Sequence, residues 1–253
     1  MDAWAIGAIV FVCIFGGALL GMYLRGRIPP RHLGDDSKDS VKLGMGLVAT
    51  MAALVLGLLV ASAKNSYDDQ KSGLDQISAN LILVDSILAQ YGPEAQEARL
   101  QLHHLVTVAV NRIWPNDATQ EATVAPATTA EGENLHSLIL SLAPGNDQQR
   151  SLQSMALQIS TELGRARWLL VAQEEGDAIP RPFLVILVFW LTALFASFGL
   201  FAPPNMTVVT TLFLSALSVS GAIFLIMELA QPFTGLVQIS SAPLRTALSH
   251  LAQ

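Results

Sequence analysis

Four stretches of the chain consist almost wholly of apolar residues, and each is close to the length of a membrane-spanning helix. They run approximately over residues 3–24, 41–63, 182–202 and 206–227, and the only charge within them is Lys42 at an edge. About 20 helical residues cross the roughly 30 Å hydrocarbon core of a bilayer. The pattern therefore predicts four transmembrane helices.

An apolar repeat continues from the second stretch into the polar middle of the chain. From Tyr67 to Tyr91 the intervals between apolar residues are 7, 3, 4, 3, 4 and 3. A repeat of about 3.5 residues is typical of a helix that packs along a seam with partner helices, and Gly92-Pro93 ends it. We therefore expect one helix of about 48 residues, with Asp39 or Ser40 as its N-cap.

Three further helices are predicted in the middle of the chain, the first starting at Pro93 and ending at Trp114-Pro115, and the last capped by Asn146 or Asp147. Residues from about 115 to 133 include few large apolar side chains and show no periodic spacing of them, so they are predicted to form a mobile loop. The predicted apolar stripes are Ala95, Ala98, Leu102, Leu105, Ala109 and Ile113; Leu135, Leu138, Ile139 and Leu142; and Leu152, Met155, Ile159, Leu163, Ala166 and Leu170.

The order of these elements predicts an all-α protein with two pairs of transmembrane helices and an extramembrane helical bundle inserted between spans two and three. The expected boundaries are 1–64 for the first hairpin, 65–181 for the bundle and 182–228 for the second hairpin, because Pro203-Pro204-Asn205 permits only a tight turn. A tail, 229–253, ends in a short amphipathic helix with Leu244, Leu248 and Leu251.

The charges are few and unevenly distributed. Charged residues make up 13% of the chain against 52% hydrophobic, and residues 64–181 contain 15 acidic and 8 basic residues. An acidic surface excludes nucleic acid as a partner of this segment. Residues 25–42 contain 5 basic and 3 acidic residues, and basic short loops favour the cytoplasmic side. Basic residues also flank the spans on the other side, so both orientations remain open.

Span two has one face that is almost without side chains. Ala49, Ala53, Gly57 and Ala61 recur along it at intervals of four residues, and Gly46 and Thr50 lie beside them. Such faces allow helices to approach closely, so intramembrane packing is one interpretation. The alternative is that the face lines a narrow polar path between subunits. Gly17 and Gly21 repeat the pattern more weakly in span one.

Three charges lie where the spans are expected to meet water on one side of the membrane, namely Lys64, Glu228 and Arg245. A carboxylate near the membrane boundary favours a charged partner. We therefore expect Glu228 to pair with Lys64 or Arg245 and to anchor the tail. The alternative is that these side chains extend separately into water.

No constellation of residues indicates an enzyme, a metal site or a cofactor site. His32 beside Asp35 and Asp36 lacks the spacing of a defined metal site, and the other histidines have no evident catalytic partner. A phosphate-binding glycine loop, a nucleophile elbow and a zinc-protease helix are absent from the sequence. The single cysteine, Cys13, lies within span one.

Two sequence stretches carry a resemblance to a known family: VKLGMGLVATMAALVLGLLVASAKNSYD, with the preceding loop from His32, and ELAQPFTGLVQISSAPLRTAL in the tail. ANLILVDSILAQYGPEA in the middle adds to it. These stretches resemble the bestrophin-like family of uncharacterised bacterial membrane proteins. The resemblance implies a remote similarity to bestrophins, pentameric anion channels with four spans per subunit and a helical domain between spans two and three. Their calcium-binding acidic cluster and aromatic pore neck have no evident counterpart here.

Two functions are compatible with this pattern. The first is an oligomeric ion channel of the bacterial inner membrane, with span two of each copy around the axis and inorganic ions, anions by resemblance, as its substrate. The second is a non-conducting membrane scaffold or sensor that uses the helical bundle to bind a protein partner. The channel is expected to be a homo-oligomer in a lipid bilayer.

Overall fold

Helices account for every regular element in the part of the chain that the structure describes. The computed structural model describes residues 3–28, 35–115, 129–175, 181–233 and 235–251. The α-helices are α1 (Ala3–Arg25), α2 (Asp35–Tyr91), α3 (Gln96–Ile113), α4 (Thr129–Ser141), α5 (Asp147–Glu175), α6 (Arg181–Phe201), α7 (Met206–Leu229) and α8 (Ala242–Leu251). A 3-10 turn, Pro93–Ala95, leads into α3. The all-α prediction is confirmed.

Four of these helices are long and apolar enough to cross a membrane, so helices at the four predicted apolar stretches are confirmed. They are α1, the part of α2 that follows Val41, α6 from Pro182, and α7. Asn205 is the N-cap of α7, because its side chain accepts a hydrogen bond from the Val208 N–H at 2.9 Å. The turn before α7 therefore follows from the local sequence.

Helix α2 is longer than predicted. It contains 57 residues, about 85 Å at 1.5 Å per residue. It begins at Asp35, so the prediction of Asp39 or Ser40 as N-cap is wrong, and both residues lie within the helix. The helix ends before Gly92, whose φ of 124° favours glycine.

The contacts divide the chain into two units. The span unit comprises Met1–Ser66 and Asp177–Ala230, and the helical unit comprises Tyr67–Gly176 and Gln231–Gln253. The boundary falls within the continuous helix α2, between Ser66 and Tyr67.

The span unit is held together by α1, which packs against α6 and α7. Aromatic side chains fill the contact with α7. The ring centroids of Trp4 and Phe224 are 4.5 Å apart, and Phe213 meets Phe11 and Phe15 edge-on at 5.5 and 5.4 Å. Such tilted and edge-on contacts suit the quadrupoles of the rings.

Apolar stripes of α2, α3, α4 and α5 form the core of the helical unit. The predicted α2 seam is buried or half-buried from Tyr67 to Tyr91. In α3, the predicted Ala98, Leu102 and Ile113 are buried. Val106 and Val110 are buried with them, while the predicted Leu105 and Ala109 are half-buried. Residues four apart lie on nearly the same side of a helix with 3.6 residues per turn. Val106 and Val110 follow Leu102 in steps of four, so they lie on its buried side.

Two further expectations in the helical unit were wrong. In α5, Ala156 is fully buried, whereas the predicted Met155 is 43% exposed. Helix α4 begins at Thr129, so the end of the predicted loop is helical, and residues 116–128 lie outside the described part. The predicted cap at Asn146 is confirmed, since its side chain accepts a hydrogen bond from the Gln149 N–H at 2.8 Å.

The tail packs against α3. Trp114 Nε1 donates a hydrogen bond to the Ile239 carbonyl at 3.0 Å, and its ring meets Phe233 edge-on at 6.1 Å. Helix α8 buries Leu244 and Leu251 against the helical unit, and the predicted Leu248 is partly buried. The tail after Ala230 therefore contributes to the core of this unit.

Candidate functional site

The membrane-capable part of α2 has one face that packs against its own chain. Ala52, Leu59 and Ala63 lie on it with exposed fractions of 6% or less. Ser197 in α6 donates a hydrogen bond to the sulfur of Met45 on this side of α2, at 3.5 Å. This face fixes α2 within the span unit.

The small-residue face lies beside the packed face and is open. Gly46, Thr50, Ala53, Gly57 and Ala61 are exposed, and Ala49 is half-buried. A Cβ atom built on Gly46 or Gly57 would meet no described atom within 4 Å. No described residue of the same copy therefore fills the space beside Gly46 and Gly57 on this strip of small residues.

The hydroxyl of Thr50 does not offer a donor to this strip. Its Oγ1 donates a hydrogen bond to the Gly46 carbonyl one turn earlier, at 2.9 Å. The threonine oxygen can still accept a hydrogen bond, because a hydroxyl has two acceptor lone pairs. The strip thus presents acceptors and small apolar groups.

A third face of α2 consists of large apolar side chains. Leu43, Leu47, Leu54 and Leu58 are each at least 66% exposed. Only 11% of the most apolar window of α2 is buried, against 28–33% for the other candidate spans. Among the described spans, α2 is the one least covered by its own chain, so it has the most surface available to lipid or to other copies.

Close packing of glycines occurs elsewhere, between α1 and α6. A Cβ on Gly21 would overlap the Ala196 carbonyl oxygen, and a Cβ on Gly199 would overlap that of Ala18. A Cβ on Gly17 would lie 2.9 Å from the Thr192 methyl group. The weaker glycine pattern of span one therefore supports intramolecular packing, which is the usual role of such residues in membrane helices.

The three predicted boundary charges have different surroundings. Glu228 is 3% exposed at the end of α7, while Lys64 and Arg245 are exposed. Arg245 Nε donates a hydrogen bond at 2.9 Å to the Oγ of Ser241, the residue before α8. Pairing of Glu228 with Lys64 or Arg245 stays a prediction.

The described residues contain no group of three or more histidine, cysteine or acidic side chains that could hold a metal ion. His32 lies outside the described residues. His136 Nδ1 lies 3.4 Å from Ser160 Oγ, between α4 and α5, and both residues are half-buried.

A shallow cleft of about 260 Å³ between α3 and α4 is lined by Glu94, Glu97 and Ser141, among others. Both glutamates are exposed, unlike the polar groups of enclosed ligand sites.

Sequence reasoning missed an ion pair within the helical unit. Arg99 donates two hydrogen bonds to Asp85, with Nε–Oδ1 at 2.7 Å and Nη2–Oδ2 at 3.0 Å. These hydrogen bonds raise the pKa of Arg99 above its ordinary value. The sequence feature that could have indicated this pair is the acidic residue directly after Val84, which belongs to the buried seam of α2.

Tyr91, at the end of the same seam, is 3% exposed, and its hydroxyl has no hydrogen-bond partner among the described residues. Burial, with the nearby Glu94, raises the pKa of this phenol. The ring contributes to the core. Burial of the hydroxyl without a hydrogen bond lowers the stability of the fold.

A protein-family model described as a Bestrophin-like domain matches residues 12–244. The match covers the first candidate span from residue 12, the other three candidate spans, the helical middle and part of α8. No curated protein and no solved structure matches the chain.

Proposed function

Because the chain belongs to the bestrophin-like family, we propose that it is an ion-conducting membrane protein assembled from several copies. The small-residue face of α2 in each copy faces a shared axis, and the conducted species are small inorganic ions. Anions are the class that the family resemblance favours. The four apolar helices support the multi-pass membrane location, and the bacterial inner membrane is part of the proposal.

The proposed layout has two hairpins of spans, residues 1–64 and 182–228, with the helical domain 65–181 inserted between them. Helix α2 ends the first hairpin and continues into that domain. The tail, 229–253, follows the second hairpin. This order is the one implied by the resemblance to bestrophins, and the helix order of the chain supports it.

The observation that carries the proposal is the exposed strip Gly46–Ala61 on the least covered span. Gly46 and Gly57 are 11 residues apart, or about 20° from alignment at 3.6 residues per turn. The other small residues lie within about 60° of Gly46 around the helix, so the strip runs along one side of α2. Backbone at membrane depth can meet water only where it lines a protected cavity. Several copies of such a strip would enclose a cavity of this kind, while the exposed leucines face lipid.

Ion flux through reconstituted protein tests the proposal. We expect flux in liposomes, and we expect Ala53→Leu and Gly57→Leu to change it several-fold by narrowing the path. Gly44→Leu is the matched control on the same helix. Gly44 has no described atom within 4 Å of an added Cβ and lies about 140° from Gly57 around the helix. Absence of flux over a range of ions, voltages and pH would exclude the channel.

The second candidate is a non-conducting scaffold or sensor. Exposed apolar side chains on the helical unit favour a protein partner, and they include Leu83, Leu100, Leu140 and Trp168. In a scaffold, Gly57→Leu would reduce assembly or thermal stability without any change in conductance. The conductance of this variant separates the two candidates. Subunit counting by mass photometry adds a test of the channel alone, because a monomer cannot form the proposed axis.

A further inference from the structure

The backbone stays hydrogen-bonded to α1 for three residues beyond the end of this helix. The Gly26 N–H donates to the Tyr23 carbonyl at 3.2 Å, and the N–H groups of Arg27 and Ile28 both donate to the Leu24 carbonyl, at 2.9 and 3.1 Å. These bonds extend the last turn of the helix by three residues. The positions of the two arginines after Leu24 are thus fixed by the backbone.

Arg27 lies over an aromatic ring at this turn. Its guanidinium carbon is 4.8 Å from the centroid of the Tyr23 ring, within the range of a cation–π interaction. Both side chains are exposed, and Tyr23 has an exposed fraction of 58%. The stack orders a charged, planar group on the outer surface of the span unit.

Arg25 links the same turn to the end of α6. Its Nη1 donates a hydrogen bond to the carbonyl oxygen of Ala202, one of the terminal carbonyls that a helix end leaves unsatisfied. A guanidinium has five N–H donors in a planar fork. The Arg25 guanidinium uses one of these donors on the Ala202 carbonyl, so its other N–H groups can donate to an anionic oxygen beside it.

The depth of this turn is given by the aromatic residues of α1. Trp4 and Tyr23 are separated by 19 residues, about 28 Å along a helix, close to the roughly 30 Å thickness of the hydrocarbon core. Tryptophan and tyrosine concentrate at the two membrane–water interfaces. With Trp4 at one interface and Tyr23 at the other, Arg25 and Arg27 lie at the level of the lipid headgroups.

The charged side chains described at the start of α2 do not alter the basic character of the turn. At the start of the apolar part of α2, Lys42 Nζ lies 3.2 Å from Asp39 Oδ1, and these two side chains neutralise each other. Exposed apolar side chains, Leu20 and Leu24, precede the arginines on α1. The turn thus combines a surface for acyl chains with two guanidiniums.

We infer that the end of α1 binds an anionic phospholipid, with Arg25 and Arg27 on the phosphate and Leu20 and Leu24 against the acyl chains. Guanidinium groups bind phosphate oxygens in a bidentate manner. The headgroup depth and the adjacent leucines favour a lipid over free phosphate. The inference does not depend on ion conduction, because it concerns the outer surface of α1.

Native mass spectrometry of the full chain in detergent, titrated with phosphatidylglycerol or phosphatidylcholine, tests the inference. We expect tighter binding of phosphatidylglycerol. A basic residue near an anionic surface contributes about fivefold in affinity, so Arg27→Gln should weaken phosphatidylglycerol binding about fivefold. Tyr23→Leu should also weaken it by removing the ring, whereas Tyr23→Phe keeps the ring and should bind normally.

Arg150→Gln is the control, because it removes one exposed arginine outside the span unit and should leave binding unchanged. Circular dichroism of each variant confirms that the helices are intact. Equal binding of the two lipids by the unmodified chain, or unchanged phosphatidylglycerol binding by Arg27→Gln, would overturn the inference. Displacement of phosphatidylglycerol by millimolar inorganic phosphate would also overturn it, since the site would then recognise the free anion.

Discussion

At the residue scale, the contact between Asp85 and Arg99 joins α2 to α3 in the helical unit. The side chains are 11% and 22% exposed, and both oxygens of the carboxylate accept a hydrogen bond. A second ion pair, Asp147–Arg150, has a similar distance of 2.9 Å, but its side chains are 98% and 70% exposed. Exposed pairs contribute little, because water screens the charges.

These two pairs lead to a direct comparison. We expect Asp85→Ala to lower the free energy of unfolding of the helical unit by about 2 kcal/mol, since it leaves a largely buried guanidinium without its partner. Asp147→Ala should cost less than about 0.5 kcal/mol. Double-mutant cycles with Arg99→Ala and Arg150→Ala, followed by denaturation in micelles, measure both couplings. Equal coupling energies for the two pairs would contradict a larger contribution of the buried pair to stability.

At the element scale, the helices themselves followed from the sequence, whereas several of their faces did not. Hydrophobic length predicted the four spans, and the seam from Tyr67 to Tyr91 predicted the extension of α2. The start of α2 and the start of α4 were missed because their first residues are polar and carry no apolar period. The small-residue face was also visible in the sequence. Its exposure was not, because a periodic pattern identifies a face but does not identify the neighbour that covers it.

Glycines in one helix differ sharply in the space around them. A Cβ on Gly21 would overlap the Ala196 carbonyl, whereas a Cβ on Gly16 would meet no described atom within 4 Å. We expect Gly21→Ala to force α1 away from α6 and to destabilise the span unit by about 1–3 kcal/mol. Gly16→Ala is the matched control on the same helix and should be neutral. Thermal unfolding in micelles measures both, and a stable Gly21→Ala variant would contradict the backbone contact.

At the scale of the whole molecule, each of the two units is built from segments that are distant in the sequence. The span unit joins α1 and part of α2 to α6 and α7, and the helical unit joins the middle of the chain to the tail. The amphipathic helix of the tail was predictable from its leucines. Its packing against α3 was not, because the hydrogen bond between Trp114 and Ile239 joins residues that are 125 positions apart.

The tail should therefore stabilise α3. Leu244 is 3% exposed, and truncating a buried leucine to alanine costs about 2–5 kcal/mol. We expect Leu244→Ala to accelerate hydrogen exchange of the α3 amides, Gln96–Ile113. Thr246→Ala on the exposed side of α8 should not. If α3 exchanges at the same rate in both variants, the tail does not support this core.

The contribution of α8 to this core affects how the protein is made. Synthesis proceeds from the N-terminus at about 5–20 residues per second, so the stretch between the end of α5 and the end of α8 takes roughly 4–15 s. During this time α6 and α7 are translated, while α3 still lacks its contacts with α8, which contributes Leu244, Ala247 and Leu251 to the core. The helical unit therefore completes its core only after the last two apolar helices have been translated, and its apolar surface on α3 stays accessible to chaperones until then.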